Sequence, residues 1–279
     1  MNIPRVWTRI SVDQRRPDGK TVQVAVWGWG NDEWSAKTNG SDRLQRMLER
    51  LRRGDPFPEK YAYGTRPLRE EILRTFKGER SDEPSAVLTR NSYGAQVLNS
   101  ARLLFLDIDF PPPGIIGRIQ GIFGAPSAEE KSLASLRAAL RHYGGATFRI
   151  YRTAAGLRVI AIDREFEPAG REAQDLMKAT STDPAFANLC VVQRSFRARL
   201  TPKPWRCNIF SQPPQYPRQD NEAQRRFDSW LNEYERTSDR YAICRYIETI
   251  GSGNPVAGAG ELLDLHDRVT RCNEPLPLA

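Results

Sequence analysis

The chain has 279 residues, of which 27% are charged, and it carries a formal net charge of +8 with a pI near 9.5. This length allows one large domain or two small ones. No apolar run reaches about 18 residues, which excludes a membrane span, and the first residues lack the apolar core of a secretion signal. We therefore expect a cytoplasmic protein without a membrane partner. The positive charge favours a polyanion such as nucleic acid, although an arginine-rich surface without such a partner is also compatible with it.

The first third of the chain predicts a hairpin followed by two helices. Alternating apolar residues at 6–12 and 21–27 flank an Asp-Gly turn at Asp18, a pattern typical of a β-hairpin. Leucines at helical spacing predict a helix over 35–53. A second helix is predicted over 67–76, because Pro67 would occupy its first position.

Short strands and helices alternate irregularly through the rest of the chain. A capping box at Ser127–Glu130 predicts the start of one helix after a glycine-containing loop at 114–126. The expected strands are 86–89, 95–98, 103–110, 147–152, 157–162 and 195–200; the expected helices are 168–180, a short one from 183, 221–236, 239–249 and 260–271. A strand-rich first part with a C-terminal helical tail predicts an α+β fold.

The most apolar expected strand, 103–110, carries two acidic residues. Because side chains alternate along a strand, Asp107 and Asp109 would share one face with their Cα atoms about 7 Å apart. Two carboxylates on a buried, central strand are costly without a cation. This predicts a divalent metal site with oxygen ligands. The alternative is a strand end at which both acids meet water.

Two further segments are suited to phosphate binding. In the expected turn between strands 147–152 and 157–162, Thr153 and Gly156 could present backbone N–H groups, with Arg152 and Arg158 adding charge. The alternative is an ordinary hairpin with exposed arginines. The second segment follows Asp183 and is predicted to carry its basic side chains along one face of a half-buried strand and beyond: Arg197, Arg199, Lys203 and Arg206. The alternative for this segment is a charged, solvated edge strand.

Residues 86–206 resemble the three motifs of the archaeo-eukaryotic primase and primase-polymerase superfamily, as a divergent, bacterial-type member. An apolar strand ending in Asp-x-Asp precedes a strand–turn–strand with a small-residue turn, and then an Asp followed by Arg-x-Arg-Leu-x-Pro-Lys. The resemblance implies that Asp107, Asp109 and Asp183 are catalytic residues that hold Mg²⁺ or Mn²⁺. It also implies nucleotide or template phosphates at Arg197, Arg199 and Lys203, with Arg152 or Arg158 beside the triphosphate. Arg158 stands where the family has a histidine.

The implied organisation is an RRM-like palm at 86–218 between an N-terminal α/β unit of the same domain at 1–85 and a C-terminal helical region at 219–279. The implied activity is two-metal transfer of a nucleotide from a nucleoside triphosphate onto a nucleic-acid strand, with DNA preferred over RNA. Arg158 in place of histidine leaves open a catalytically inactive relative that binds nucleic acid or nucleotide. A third possibility is a phosphohydrolase of the haloacid dehalogenase type, although Phe110 and three prolines follow the acidic pair here.

Cysteine and histidine offer little further chemistry. The cysteines are widely spaced and form no Cys-x-x-Cys pair: Cys190, Cys207, Cys244 and Cys272. This spacing indicates reduced thiols and disfavours a structural zinc site. His266 and Asp267 are neighbours on an expected helix, where adjacent side chains do not share a face, so we expect His266 to be structural.

Overall fold

The computed structural model describes residues 1–15, 19, 21–55, 66–78, 83–111 and 127–279. The chain divides into two compact units, residues 2–69 and residues 70–279. The small unit contains 14 lysines and arginines against 8 aspartates and glutamates, so most of the net positive charge of the chain belongs to it.

The small unit is a hairpin covered by one helix. Strands β1 (Val6–Arg15) and β2 (Thr21–Gly30) pair in antiparallel register, which confirms the predicted hairpin. Helix α1 (Glu33–Arg53) begins at a capping box formed by Asp32 and Ser35. It approaches β2 so closely that a Cβ added to Gly28 would lie 2.2 Å from a helix carbonyl oxygen.

The larger unit contains two four-stranded antiparallel sheets. The first has the order β3–β4–β5–β9 and the second the order β10–β7–β8–β6. The strands of the first sheet are β3 (Glu71–Lys77), β4 (Pro84–Arg90), β5 (Gln96–Ser100) and β9 (Phe196–Arg199). Those of the second are β6 (Phe105–Asp109), β7 (Phe148–Thr153), β8 (Gly156–Ala161) and β10 (Cys244–Ile250).

Five helices of the described chain accompany these sheets. They are α2 (Ala128–Tyr143), α3 (Arg171–Ala179), α4 (Pro184–Gln193), α5 (Asn221–Ser238) and α6 (Ala259–Thr270), with a 3₁₀ helix at Pro204–Cys207. Residues of both sheets, α2, α3 and α6 share one apolar core. The predicted capping box at Ser127 is present, and Pro184 occupies the first turn of α4.

The α+β prediction is confirmed, but two predicted helices are wrong. Most of 67–76 forms β3, because this segment pairs with β4. Most of 239–249 forms β10, which pairs with β7, so the C-terminal region is not simply a helical tail. The loop expected at 114–126 lies outside the described residues.

The four cysteines are buried and form no disulfide. Within the described ranges, no helix combines the length and apolar character needed to cross a membrane.

Candidate functional site

Asp107 and Asp109 lie at the end of β6, and their surroundings differ. Asp107 is opposite Arg158 in the β6–β8 register, and Asp109 is opposite Gly156. Apolar neighbours bury Leu106 and Ile108, whereas Asp109 is exposed. The expected central position of this strand is wrong, because β6 ends the order of its sheet and pairs with β8 alone among the named strands.

The carboxylate of Asp107 forms an ion pair with Arg158. Arg158 Nε lies 3.0 Å from Oδ1 of Asp107, and Nη2 lies 3.4 Å from Oδ2. The Arg158 side chain is only 2% exposed, against 36% for Asp107. Burial by itself would lower the pKa of Arg158, but the Asp107 carboxylate, together with Cys244 and Tyr151, acts in the opposite direction and the pKa is raised. Arg158 therefore lies in the interior, not on the surface expected of a phosphate ligand.

A buried polar network continues from Arg158 to α6. Arg158 Nη1 donates to the carbonyl of Arg199 at 2.9 Å and lies 3.4 Å from His266 Nε2. His266 Nδ1 lies 2.9 Å from Asp267 Oδ1, which also accepts a hydrogen bond from Tyr151 at 2.8 Å. The expectation that His266 and Asp267 would not meet is therefore wrong. Because a guanidinium only donates, Nε2 of His266 accepts and Nδ1–H donates to Asp267, which defines one neutral tautomer.

His266 is fully buried and keeps this neutral form. Burial lowers the pKa of His266 to about 4. The hydrogen bond to Asp267 opposes this lowering, and the charge of Arg158 adds to it. The sequence separation between Arg158 and His266 is 108 residues. No local pattern in the sequence could have indicated that a histidine lies beside Arg158.

Asp183 approaches the acidic pair through its backbone. Its amide donates to the carbonyl of Asp107 at 3.2 Å. Its carboxylate caps α4, since Oδ1 accepts from the amide of Ala185 at 3.0 Å. The predicted third metal ligand is thus adjacent in the fold, with its side chain used as a helix cap.

Arg197 is also held in the interior. Its Nη2 lies 2.7 Å from Glu70 Oε1, and its Nη1 lies 2.5 Å from Asn99 Oδ1. The Glu70 side chain is buried and accepts a further hydrogen bond from Thr89 at 2.6 Å. Sequence reasoning missed Glu70, which is 127 residues from its arginine. Arg197 therefore does not belong to the expected surface row of positive charge.

Arg199, Lys203 and Arg206, here called the basic cluster, lie beside the acidic pair. Burial, then repulsion from Arg158, lowers the pKa of Arg199 to about 10. Its Nη1 is buried without a hydrogen-bond partner in the described part of the chain. Burial, then the charges of Arg199 and Arg206, lowers the pKa of Lys203, while Asp109 and Asp107 act in the opposite direction. The site therefore gathers three cations, one of which lacks a full set of partners.

The predicted phosphate turn has structural partners of its own. Arg152 Nε lies 2.5 Å from Glu129 Oε1, and its guanidinium stacks 4.6 Å from the Phe110 ring centre. Thr153 ends β7. A Cβ on Gly156 would lie 2.0 Å from the carbonyl oxygen of Ile108, so this glycine permits the close approach of β8 to β6.

A two-metal site needs several hard ligands that are free to bind. Among the residues that the structure describes, no three histidine, cysteine, aspartate or glutamate side chains are grouped to hold an ion. With Asp107 bound by Arg158 and Asp183 capping α4, the described side chains do not fit such a site as they stand. The Mg²⁺ or Mn²⁺ expected from the primase resemblance stays a prediction.

Comparisons with protein-family models, with curated proteins and with solved structures give no match for this chain.

Proposed function

We propose that this chain is a catalytically inactive, primase-like protein that binds the phosphates of nucleic acid or nucleoside triphosphates at the basic cluster. The observation that carries the proposal is the Asp107–Arg158 ion pair. Because these two charges largely neutralise each other, the three cations of the basic cluster exceed the acid that Asp109 contributes beside them. A site with this balance attracts an anion.

The donors of the basic cluster suit phosphate. Arg199 is only partly buried, and its guanidinium adds to the charge of Lys203 and Arg206. Lys203 and Arg206 add charge from the half-buried segment that follows β9. Phosphate contacts of this kind position a nucleic acid without reading its sequence.

The order of elements around β6 supports the primase-like part of the proposal. Among the described elements, β6, α2, β7, β8 and α3 follow one another, and the three strands lie in the order β6–β8–β7. This is the order of the first five elements of a split β-α-β-β-α-β unit, the arrangement of an RRM-like palm. The strand that would complete such a unit has no direct counterpart, because β9 pairs with β5 of the other sheet.

The test measures binding of labelled single-stranded DNA by fluorescence anisotropy over a series of salt concentrations. The double variant Lys203→Ala/Arg206→Ala should bind more weakly, and its slope of log K against log salt should fall by about 0.7 for each lost phosphate contact. Arg171→Ala is the matched control, because Arg171 is an exposed arginine on α3 outside the basic cluster. If both variants lose affinity equally, or neither does, the basic cluster is not the binding site.

A primase-like nucleotidyltransferase is the second candidate, favoured by two carboxylates on one face of β6 with the backbone of Asp183 beside them. Asp107, Asp109 and Asp183 would then hold Mg²⁺ or Mn²⁺, which supplies charge neutralisation for phosphoryl transfer. Template extension in either metal would decide between the candidates. Extension that Asp109→Ala abolishes would establish the enzyme; salt-sensitive DNA binding without extension supports the inactive protein.

A further inference from the structure

We infer that Tyr93, Trp205 and Phe210 form a stacking platform for the unpaired bases of single-stranded nucleic acid. The inference rests on the proposed function and adds to it the form of the nucleic acid and the residues that would select it. Base stacking on aromatic side chains is the usual way in which proteins hold single strands without reading their sequence.

These three aromatic rings are exposed, and two of them, Trp205 and Phe210, lie on the segment 205–211. Phe210 is 78% exposed, Trp205 45% and Tyr93 42%. Between the exposed rings, Cys207 and Ile209 are buried. Trp205 and Phe210 are therefore exposed on a segment whose apolar residues between them, Cys207 and Ile209, are buried.

The platform is held by a separate apolar cluster on α5. Cys207 and Ile209 pack there with three aromatic residues, Phe227, Trp230 and Tyr234. Trp230 Nε1 donates to the carbonyl of Ser211 at 3.1 Å, and Gln215 donates to the carbonyl of Ser92 at 3.0 Å. These bonds anchor the segment after Trp205 and tie it to the turn that carries Tyr93.

Gly94 lets this turn lie against α5. It has a φ of +86°, and an added Cβ would lie 2.2 Å from the Trp230 ring. Tyr93 and Trp205 meet edge to face, with ring centres 5.2 Å apart. The exposed faces of these two rings are thus prearranged, which lowers the entropy cost of stacking a base on them.

Phosphate-binding charge lies next to these rings. Lys203 Nζ is 5.6 Å from the centre of the Trp205 ring, and Arg206 is the next residue along the chain. A single strand presents bases and phosphates together, so rings beside cations match it on both counts. In a duplex the bases face each other and cannot reach the rings, so the surface should prefer single strands.

The test compares single-stranded and duplex DNA of equal length. Trp205→Leu and Phe210→Leu remove the aromatic face but keep an apolar side chain, and Trp205→Tyr restores a ring. Each leucine variant should weaken single-strand binding roughly 5- to 150-fold, the range found for lost stacking on one base. The salt slope and the duplex affinity should not change, because no charge is removed. The tyrosine variant should recover most of the affinity.

The outcomes separate this inference from the proposed function. If the wild-type protein binds no DNA, or binds it without salt sensitivity, the nucleic-acid part of the proposed function fails and this inference fails with it. If Lys203→Ala lowers the salt slope but the leucine variants bind like wild type, the platform alone is wrong. Equal losses for single strands and duplex would also overturn it, as would sedimentation showing that the leucine substitutions break a dimer of this chain without changing DNA affinity.

Discussion

Arg158 and Lys203 both have Asp107 as a charged neighbour, yet their surroundings are opposite. Arg158 is buried, and its donors meet Asp107, the carbonyl of Arg199 and the ring of His266. Lys203 is half-buried between two arginines, and its ammonium lies over the exposed Trp205 ring. Arg158 therefore has ion-pair and hydrogen-bond partners within the fold, whereas Lys203 adds to the excess of positive charge in the basic cluster.

This difference separates structural charge from charge available to a ligand. The buried pairs Asp107–Arg158 and Glu70–Arg197 match one carboxylate to one guanidinium. In the basic cluster three cations stand beside Asp109, which cannot neutralise all of them. The fold therefore divides the basic residues of one sequence motif between the interior and the basic cluster, where we propose that phosphate binds.

Substituting Asp107 and Asp109 one at a time tests this division, and it has the largest expected effect on stability. Asp107→Ala leaves Arg158 as an uncompensated buried cation, and we expect it to lower the free energy of unfolding by about 3 kcal/mol. Asp109→Ala, at an exposed position, should change it by less than about 0.5 kcal/mol. Urea denaturation in the presence of EDTA measures both.

A metal site without its ion would give different changes in stability for these two variants. Two carboxylates that repel each other in the absence of an ion would be relieved by either substitution, so both variants would equal or exceed the wild type in stability. That result would contradict the Asp107–Arg158 pair.

Gly156→Ala tests whether this glycine of the predicted phosphate turn is needed for the close packing of β8 against β6. The new methyl would collide with the carbonyl oxygen of Ile108, and we expect a loss of about 2 kcal/mol. Gly260→Ala is the matched control, because nothing lies within 4 Å of its added Cβ in α6 and helix propensity favours alanine. Thermal unfolding that ranks Gly260→Ala as the more harmful change would refute the packing role.

The smallest expected effect is the change of stability with pH that His266 causes. Its pKa is lowered by burial and by Arg158, with Asp267 opposing and Arg149 adding to the lowering. The unfolded chain therefore binds a proton that the folded chain does not, so stability should fall as pH drops from about 6.5 toward the folded pKa near 4. Between pH 6 and pH 5 the loss should be about 1 kcal/mol.

His266→Gln removes this titration and leaves the exposed His142 in place. The difference in unfolding free energy between wild type and variant should therefore carry the pH dependence of His266. A difference that stays constant from pH 6 to pH 5 would mean that His266 is not held neutral.

Local signals predicted much of the fold. The alternating residues around Asp18 gave the β1–β2 hairpin, and the Ser127 capping box gave the start of α2. The errors lie at strands that depend on distant partners. Residues 71–77 follow Pro67 and suit a helix start, but pairing with β4 makes them a strand. Residues 244–250 pair with β7, which lies some ninety residues earlier in the sequence.

The candidate site was predictable in its residue types and not in its pairings. Alternation placed Asp107 and Asp109 on one face, and the basic character of 197–206 indicated phosphate. Which arginines stay available depends on Glu70 and His266, which come from elsewhere in the chain. Long-range ion pairs of this kind leave no local pattern, so Arg158 and Arg197 could not be distinguished from Arg199 in advance.

The dissociation constant of wild-type protein for single-stranded DNA, measured in EDTA and again in Mg²⁺ or Mn²⁺ at matched ionic strength, tests the central claim most directly. If the basic cluster binds phosphate without an ion, the protein should bind DNA in EDTA at least as tightly as in either metal. Binding that appears only when a divalent cation is added, and disappears in Asp109→Ala, would contradict the account.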